Sequence, residues 1–347
     1  MILNPLPIHT SRFGGCTLTG ALSVTTHVRN TASIVHGPKG CTHHNFSLLH
    51  ATGLDNETVT LPALVSTALS ESDIVFGGEG ALLRTLESVA ERDIDAIFVL
   101  STCIVVTIGD DVAAICSRDY GVPVVIVPTA GFLGGTFQNG VVNALCAIAG
   151  TAGPCPVNDS VNIIGEKNLE YEIEENYAEV VRLLGTLGIP VNLRFVHDIT
   201  FDEIRMLGAA RLNILRDPAL MPVGMYLKQR FGTPFIPTFP LGLSGTLSFV
   251  ESVAGAFGID NRRAVEKELL FQKDTLAGFS DLNGMTASFD PSMSDPDGVN
   301  SSSEVAEALR IQMRIPGAGF VSLGPGTPVG TSGVRRMLHR WRRQLHA

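Results

Sequence analysis

Three of the six cysteines in this chain stand where a metal centre is most readily built. Cys16 lies in a glycine-rich turn, Gly14-Gly15-Cys16, ahead of a helix that leads into the apolar run 32–35 (ASIV). Cys41 closes the turn His36-Gly37-Pro38-Lys39-Gly40-Cys41 that follows this run, and Cys103 ends Ser101-Thr102-Cys103 after the apolar run 96–100 (AIFVL). Parallel sheets collect their loops at the C-terminal ends of the strands, and ligands bind there. Three thiols on three loops at one sheet edge could meet at a soft metal site, and thiolates are the ligands that iron–sulfur clusters use. Glycine neighbours let the backbone come close and donate N–H groups to sulfides. A free cysteine is also a small buried hydrophobe, and spacing alone leaves both readings open. Cys116, Cys146 and Cys155 fall in apolar helices or a proline-flanked loop and are assigned to packing. No CxxC pair exists, so zinc-finger and thioredoxin chemistry has no support.

Other reactive side chains are fewer. Six of the nine histidines lie in the first fifty residues: His9, His27, His36, His43, His44 and His50. His36 precedes the Gly-Pro turn and is expected to orient it by hydrogen bonding. His43 and His44 follow Cys41 and are candidates for proton donation at a substrate or for hydrogen bonds to sulfur; surface histidines on a first helical turn are the competing reading. Asp217 and Glu203 are potential acids in the cleft expected between the two units, without an obvious pairing, and Asp217 joins His43 and His44 as a candidate catalytic residue. Asp110 and Asp111 are expected to cap a helix. Gly77-Gly78-Glu79 precedes a helix and could hold an anion, but the Lys-Ser/Thr pair of a Walker A motif is missing, so ATP belongs on a partner.

The elements that must position these groups alternate. Helical spacing is expected over 81–92, 109–117, 141–148, 171–187 and 247–257, and strands over 32–35, 96–100, 122–127, 160–164, 191–196, 212–215 and 234–238. Thr200 and Glu203 form a capping box that opens a short helix. Residues 120–158 contain no Asp, Glu, Lys or Arg, which implies deep burial. Continuous apolar strands in strand–helix order argue for an α/β fold of two doubly wound, Rossmann-like parallel-sheet domains. The expected division is 1–158, a cluster-binding domain; 159–260, a second α/β domain; and 261–347, a reduced C-terminal segment without a convincing set of strands. That segment holds a Ser/Asp/Pro/Gly-rich stretch at 290–303 and ends in an amphipathic basic helix carrying Arg335, Arg336, Arg340, Arg342 and Arg343.

Composition narrows the function. The 347 residues are 45 % hydrophobic and 17 % charged, which excludes disorder for the chain as a whole. A net charge of −9 argues against a nucleic-acid partner. Mean hydropathy is +0.25, yet no apolar run approaches the roughly 20 residues a membrane span needs. The apolar surplus fits strands buried on both faces and a sizeable subunit interface. Residues 1–10 lack the pattern of a secretory leader, so a cytoplasmic location is expected.

Taken in order, the motifs resemble nitrogenase component 1. They are Gly15-Cys16 with Gly20-Ala21, His36-Gly37-Pro38 with Gly40-Cys41, Ser72-Asp73-Ile74-Val75-Phe76-Gly77-Gly78-Glu79, Ser101-Thr102-Cys103 and Ile108-Gly109-Asp110-Asp111. Further on come Gly131-Phe132 with Gly134, Asn162-Ile163-Ile164-Gly165, Arg211-Leu212-Asn213 and Phe231-Gly232-Thr233-Pro234. The resemblance spans about residues 10–260 and is to the α-type subunits, both catalytic and of the cofactor-assembly scaffold. It implies that Cys16, Cys41 and Cys103 ligate an iron–sulfur cluster at a subunit interface, a [4Fe–4S] cluster or alternatively an [8Fe–7S] P-cluster. It further implies a homodimer or a heterodimer with a β-type paralogue, and an ATP-dependent iron-protein-like reductase that delivers electrons. Two departures stand out. Asp217 occupies the position where the α chains carry a cofactor-binding cysteine, and Thr136-Phe137-Gln138-Asn139 stands where the catalytic chain has a histidine pair. Dinitrogen reduction on an iron–molybdenum cofactor is therefore not expected. The resemblance leaves an enzyme acting on a tetrapyrrole or another hard-to-reduce small molecule, a scaffold that holds a metallocluster or precursor, or a member in which the cluster is structural only.

Overall fold

The computed structural model describes residues 15–57, 61, 63–131, 135–289, 296–314, 321–324 and 327–346. Of the stretches singled out above, Gly14, His9, residues 1–10, Phe132, Leu133, Gly134 and residues 290–295 lie outside the described residues. By density of contacts the described residues form two compact units, one within 15–173 and 191–237, the other within 174–190 and 238–346.

The first unit opens with α1 (Thr17–Thr25), β1 (Val28–Arg29), β2 (Thr31–His36) and α2 (Lys39–Asp55). It continues with β3 (Leu64–Ser66), α3 (Glu71–Phe76), α4 (Glu79–Ala90), β4 (Ala96–Ser101), α5 (Cys103–Ile108), α6 (Val112–Cys116), β5 (Val124–Val127) and α7 (Phe137–Ala149). A parallel sheet in the order β3-β2-β4-β5 forms its first half. Ile97, Phe98, Val99 and Leu100 of the central β4 are wholly buried. Each contributes about 1.5–3 kcal/mol relative to exposure, more than the roughly 0.5–1 kcal/mol that ordering an aliphatic side chain costs. Helix α1 is buried at all nine residues. It lies against α7 so closely that a Cβ on Gly20 would fall on the Phe137 carbonyl and one on Gly140 on the Thr17 carbonyl.

The same unit holds a second parallel sheet. Its strands are β6 (Asn158–Ile164), β7 (Val191–Phe195), β9 (Ala210–Leu215) and β10 (Phe235–Ile236), in the order β10-β9-β6-β7, while β8 (Ile199–Thr200) pairs with β1; α8 (Ile173–Thr186) and α9 (Met221–Phe231) lie along this part of the chain. The Thr200–Glu203 capping box is present and opens a 3-10 turn, Glu203–Ala209.

The other unit contains most of α8, then α10 (Ser244–Phe257), α11 (Arg262–Ala277), β11 (Thr286–Phe289), α12 (Pro296–Ala308), β12 (Gln312–Met313), β13 (Ser322–Leu323) and α13 (Gly330–Leu345). Here the structure corrects the sequence reading. The C-terminal segment does carry strands, a parallel sheet in the order β12-β11-β13 that packs with Trp341, Met337 and Leu338 of α13. Strands of two to four residues are too short to show an alternating pattern, which is why they were not expected. A polar centre ties this unit together: buried Glu179 and Glu268 both bond Arg182, and Thr331 and Ser332 bond the two carboxylates.

Two further corrections concern the first sheet. Residues 103–108 form a helix where none was expected, and the helix expected over 109–117 is only α6. Deep burial of 120–158 holds only in part: six of the thirteen residues of α7 are buried, while Ile126 is 38 % exposed on β5, the last described strand at its edge of the sheet, and Val157 is 64 % exposed.

Candidate functional site

The two central strands β2 and β4 run in register to their last residues, with His36 opposite Ser101, and the Thr102 N–H donates to the His36 carbonyl at 2.9 Å. The chain therefore leaves both strands at one level. Five residues beyond His36 it reaches Cys41 in the first turn of α2, and two beyond Ser101 it reaches Cys103, the first residue of α5. Cys16 is the residue before α1, held by the packing of α1 on α7. Burial pushes the Cys41 thiol up first, and the charges of Cys16 and Cys103, near enough to be felt there, push it further. Three thiolates brought together repel one another, and bound metal cations relieve that repulsion. Cys16 is exposed and the other two are partly so, which leaves the group open at the surface of the chain.

The turns around the thiols are shaped by glycine and threonine. Gly37 has a φ of +157° and lies against the Thr102 side chain, so no larger residue fits beside that strand end. A Cβ on Gly131 would lie 3.2 Å from Cys103 Sγ and 3.5 Å from Thr17 Oγ1. Gly131, the first glycine of the loop recognised in the sequence, thus lies close to Cys103. The hydroxyls of Thr17, Thr42 and Thr102 are buried without a hydrogen-bond partner among the described residues, as is Asn45 Oδ1, one turn beyond Cys41. An unmade hydrogen bond on a buried polar group costs about 1–3 kcal/mol, so four of them on residues next to or one turn from the cysteines are consistent with a place that takes another molecule. Soft thiols, no carboxylate among them and unused hydroxyl donors fit a metal–sulfur cluster. Among the described residues no three His, Cys, Asp or Glu side chains close on a single metal ion. A cluster's ligands bind different irons and stand farther apart than those of one ion.

The remaining sequence candidates sort differently. His36 is fully buried, with Nε2 3.1 Å from Asp110 Oδ2 and Nδ1 3.0 Å from Thr67 Oγ1. Burial lowers its pKa, Asp110 pulling the other way. A neutral ring that donates from Nε2 to the carboxylate and accepts at Nδ1 from the threonine hydroxyl satisfies both contacts. Asp110 is not a cap for α6; Asp111 is. Asp110 instead receives the Gly78 N–H on both oxygens, and Glu79 receives the Asp111 N–H, so the chain's own carboxylates fill the expected anion site. His43 and His44 are exposed on α2 beside Cys41. Thr136 and Asn139 form the capping box of α7. Asp217 accepts the Ala219 N–H at 2.8 Å and lies 3.4 Å from Lys167 Nζ, at the end of β9 in the second sheet. Beside it, buried Glu166 pairs with Arg194 at 2.9 Å and Arg216 at 3.6 Å. Asp217 is thus not brought to the cysteines by any contact. Thr17, Thr42, Thr102 and Asn45 were missed from sequence; a threonine beside each cysteine was the available signal.

Comparison with known proteins places the chain in a family. Residues 16–281 match the family described as nitrogenase component 1 type oxidoreductase. The nitrogenase iron-molybdenum cofactor biosynthesis protein NifE of Clostridium pasteurianum is 30 % identical over 282 residues, 76 % of this chain and 60 % of its own length. The nitrogenase molybdenum-iron protein alpha chain of Methanothermobacter marburgensis is 29 % identical over 294 residues, 76 % of this chain and 62 % of its own. The chain thus spans about three-fifths of the length of these relatives. A solved structure, Nitrogenase Cp1 at pH 6.5, has the same fold with a TM-score of 0.69 at 24 % identity, over 86 % of this chain and 60 % of that one. No helix among the described residues is long and apolar enough to cross a membrane. With its parallel α/β sheets and the match over 16–281, the chain belongs to the nitrogenase component 1 type oxidoreductase family.

Proposed function

We propose that this chain is one subunit of a nitrogenase-like reductase, and that Cys16, Cys41 and Cys103 hold an iron–sulfur cluster shared with a second subunit. What supports the reading is that Cys41 and Cys103 follow the adjacent ends of β2 and β4, that Cys16, Cys41 and Cys103 are all at least partly exposed, and that their threonine neighbours have buried hydroxyls without a partner among the described residues. When bound, such a cluster supplies a one-electron relay. A [4Fe–4S] cluster is the first candidate and an [8Fe–7S] cluster the alternative. The partner that completes it is a second copy or a β-type paralogue.

The chain's own residues supply position and surface. The His36–Asp110 contact pins the end of β2 to the Gly78 turn and so fixes the approach to Cys41. Val75 and Phe76 are 71 % and 87 % exposed, and Val106 of α5 is 44 % exposed, only three residues beyond Cys103. These apolar side chains support docking of an ATP-dependent, iron-protein-type reductase near the cysteines. His43 and His44, exposed on the helix that begins at Cys41, are proposed as proton donors to a small-molecule substrate, with a tetrapyrrole as one candidate.

The NifE relative favours a second reading, a scaffold that holds a metallocluster or its precursor. The position where the resemblance calls for a cofactor cysteine is filled by Asp217, engaged with Lys167 and the Ala219 N–H, which counts against a scaffold for the iron–molybdenum precursor. The test is anaerobic purification with iron and sulfide quantification and EPR of the dithionite-reduced protein, beside Cys103→Ala. About four irons per site, with the signal lost in the variant, is expected. An iron-free protein under strict anaerobiosis, or an unchanged variant, would overturn the reading. ATP-dependent turnover with an iron-protein partner separates a reductase from a scaffold, which would instead release its cluster to an acceptor.

A further inference from the structure

Each of the three cysteines has a threonine as its chain neighbour: Cys16-Thr17, Cys41-Thr42 and Thr102-Cys103. Threonines and serines deeper in the helices of this chain return their hydroxyl proton to the preceding turn, as Thr26 does to the Leu22 carbonyl, Thr52 to Leu48 and Thr85 to Ala81. Thr17 is the first residue of α1, where that turn is missing, and Thr42, the fourth residue of α2, makes no such bond. Thr102 stands before α5 and does not cap it. All three are more than nine-tenths buried, and their hydroxyls meet no acceptor among the described residues. For Thr17 the neighbours are defined. Its Oγ1 and Cys103 Sγ both lie within 3.5 Å of the point where a Gly131 Cβ would stand, and the same oxygen lies against Gly135, so the hydroxyl borders the space beside Cys103 that these glycines leave open.

Resting on the cluster reading above, we propose that Thr17, Thr42 and Thr102 form a collar of O–H donors to the sulfur atoms held at Cys16, Cys41 and Cys103. The ligand such a collar fits is an anionic, sulfide-bridged cluster rather than a lone metal ion, because bridging sulfides add acceptors that a bare ion lacks. Hydrogen bonds to sulfur stabilise the more negative, reduced state, so the collar raises the reduction potential. The threonines are positioning residues and touch no substrate.

The test uses the full chain reconstituted anaerobically with ferrous iron and sulfide, comparing Thr17→Val and Thr17→Ser with the wild type. The readouts are iron per chain, the potential from an EPR-monitored titration, and the shift of iron–sulfur stretching bands in D2O. Thr17→Val is expected to keep its iron, move to a more negative potential and lose part of the D2O shift, while Thr17→Ser keeps all three. Iron lost in Thr17→Val but retained in Thr17→Ser also supports the collar. An unchanged potential and D2O shift in iron-loaded Thr17→Val would overturn it, as would iron loss in both variants, which would assign Thr17 to packing. Thr42→Val, read the same way, serves if Thr17→Val does not fold by circular dichroism. A wild type that takes up no iron, or a Cys103→Ala chain that keeps it, fails the cluster reading itself and is seen before any threonine variant is compared.

Discussion

Gly20→Ala tests the packing that holds Cys16 in place. A methyl group at Gly20 meets the main-chain carbonyl of Phe137, the first residue of α7, and a carbonyl cannot swing aside as a side chain can. Nor can α1 retreat, because all nine of its residues are buried. Overpacking of this kind costs about 1–3 kcal/mol, and a rigid backbone partner puts Gly20 at the upper end. Alanine returns about 1 kcal/mol through helix propensity, so a net loss of about 2 kcal/mol is expected. Gly255→Ala is the matched control. It lies in α10 with nothing within 4 Å of the new methyl, so propensity alone acts and a gain of about 0.5–1 kcal/mol is expected. Urea unfolding by far-ultraviolet circular dichroism reads both variants, and the single tryptophan, Trp341, reports the unit that contains Gly255. The iron content of Gly20→Ala should fall with its stability, since Cys16 begins the displaced helix. A neutral or stabilised Gly20→Ala would refute the backbone contact between α1 and α7.

Acid should unfold the protein through its histidines. Burial, then His197 and Arg194, hold His27 down to about 3, and burial lowers His36 as well. The unfolded imidazoles take up protons near pH 6.5 while the native ones resist, so stability is full above that pH and falls below it, by up to about 1.4 kcal/mol per pH unit per histidine. A urea midpoint that stays constant between pH 7.5 and 5.5 would contradict this, and His36→Asn should flatten the slope. Glu268→Ala removes a 2 %-exposed carboxylate from Arg182 and Thr331. The expected cost is about 2–3 kcal/mol, below that of breaking a fully buried pair because Arg182 is one-third exposed and keeps Glu179. The loss should show in Trp341 fluorescence during unfolding, and an unchanged midpoint would count against a structural role for this centre.

The sequence showed most of the first sheet and pointed to the three cysteines of the proposed site. Runs such as AIFVL, apolar on both faces and closed by Ser-Thr-Cys, read as central parallel strands, and β4 is one. Cys16, Cys41 and Cys103 were legible because each sits at a glycine turn or strand end, positions that parallel topology gathers. Shorter features were not. The six residues of α5, CIVVTI, are β-branched and resemble a continuing strand, and only the turn at Thr102 makes them helical. The two-residue strands β12 and β13 carry no period at all.

Fold class, the family and the three thiols were thus set by local pattern and motif order, which survive in one dimension because each depends on a few adjacent residues. The partners of Asp110, the contact of Gly131 with Cys103 and Thr17, and the lack of a partner for three ordinary threonines among the described residues were decided in three dimensions. A hydroxyl becomes a donor in search of an acceptor only when packing removes both water and neighbouring carbonyls, and no residue spacing records that.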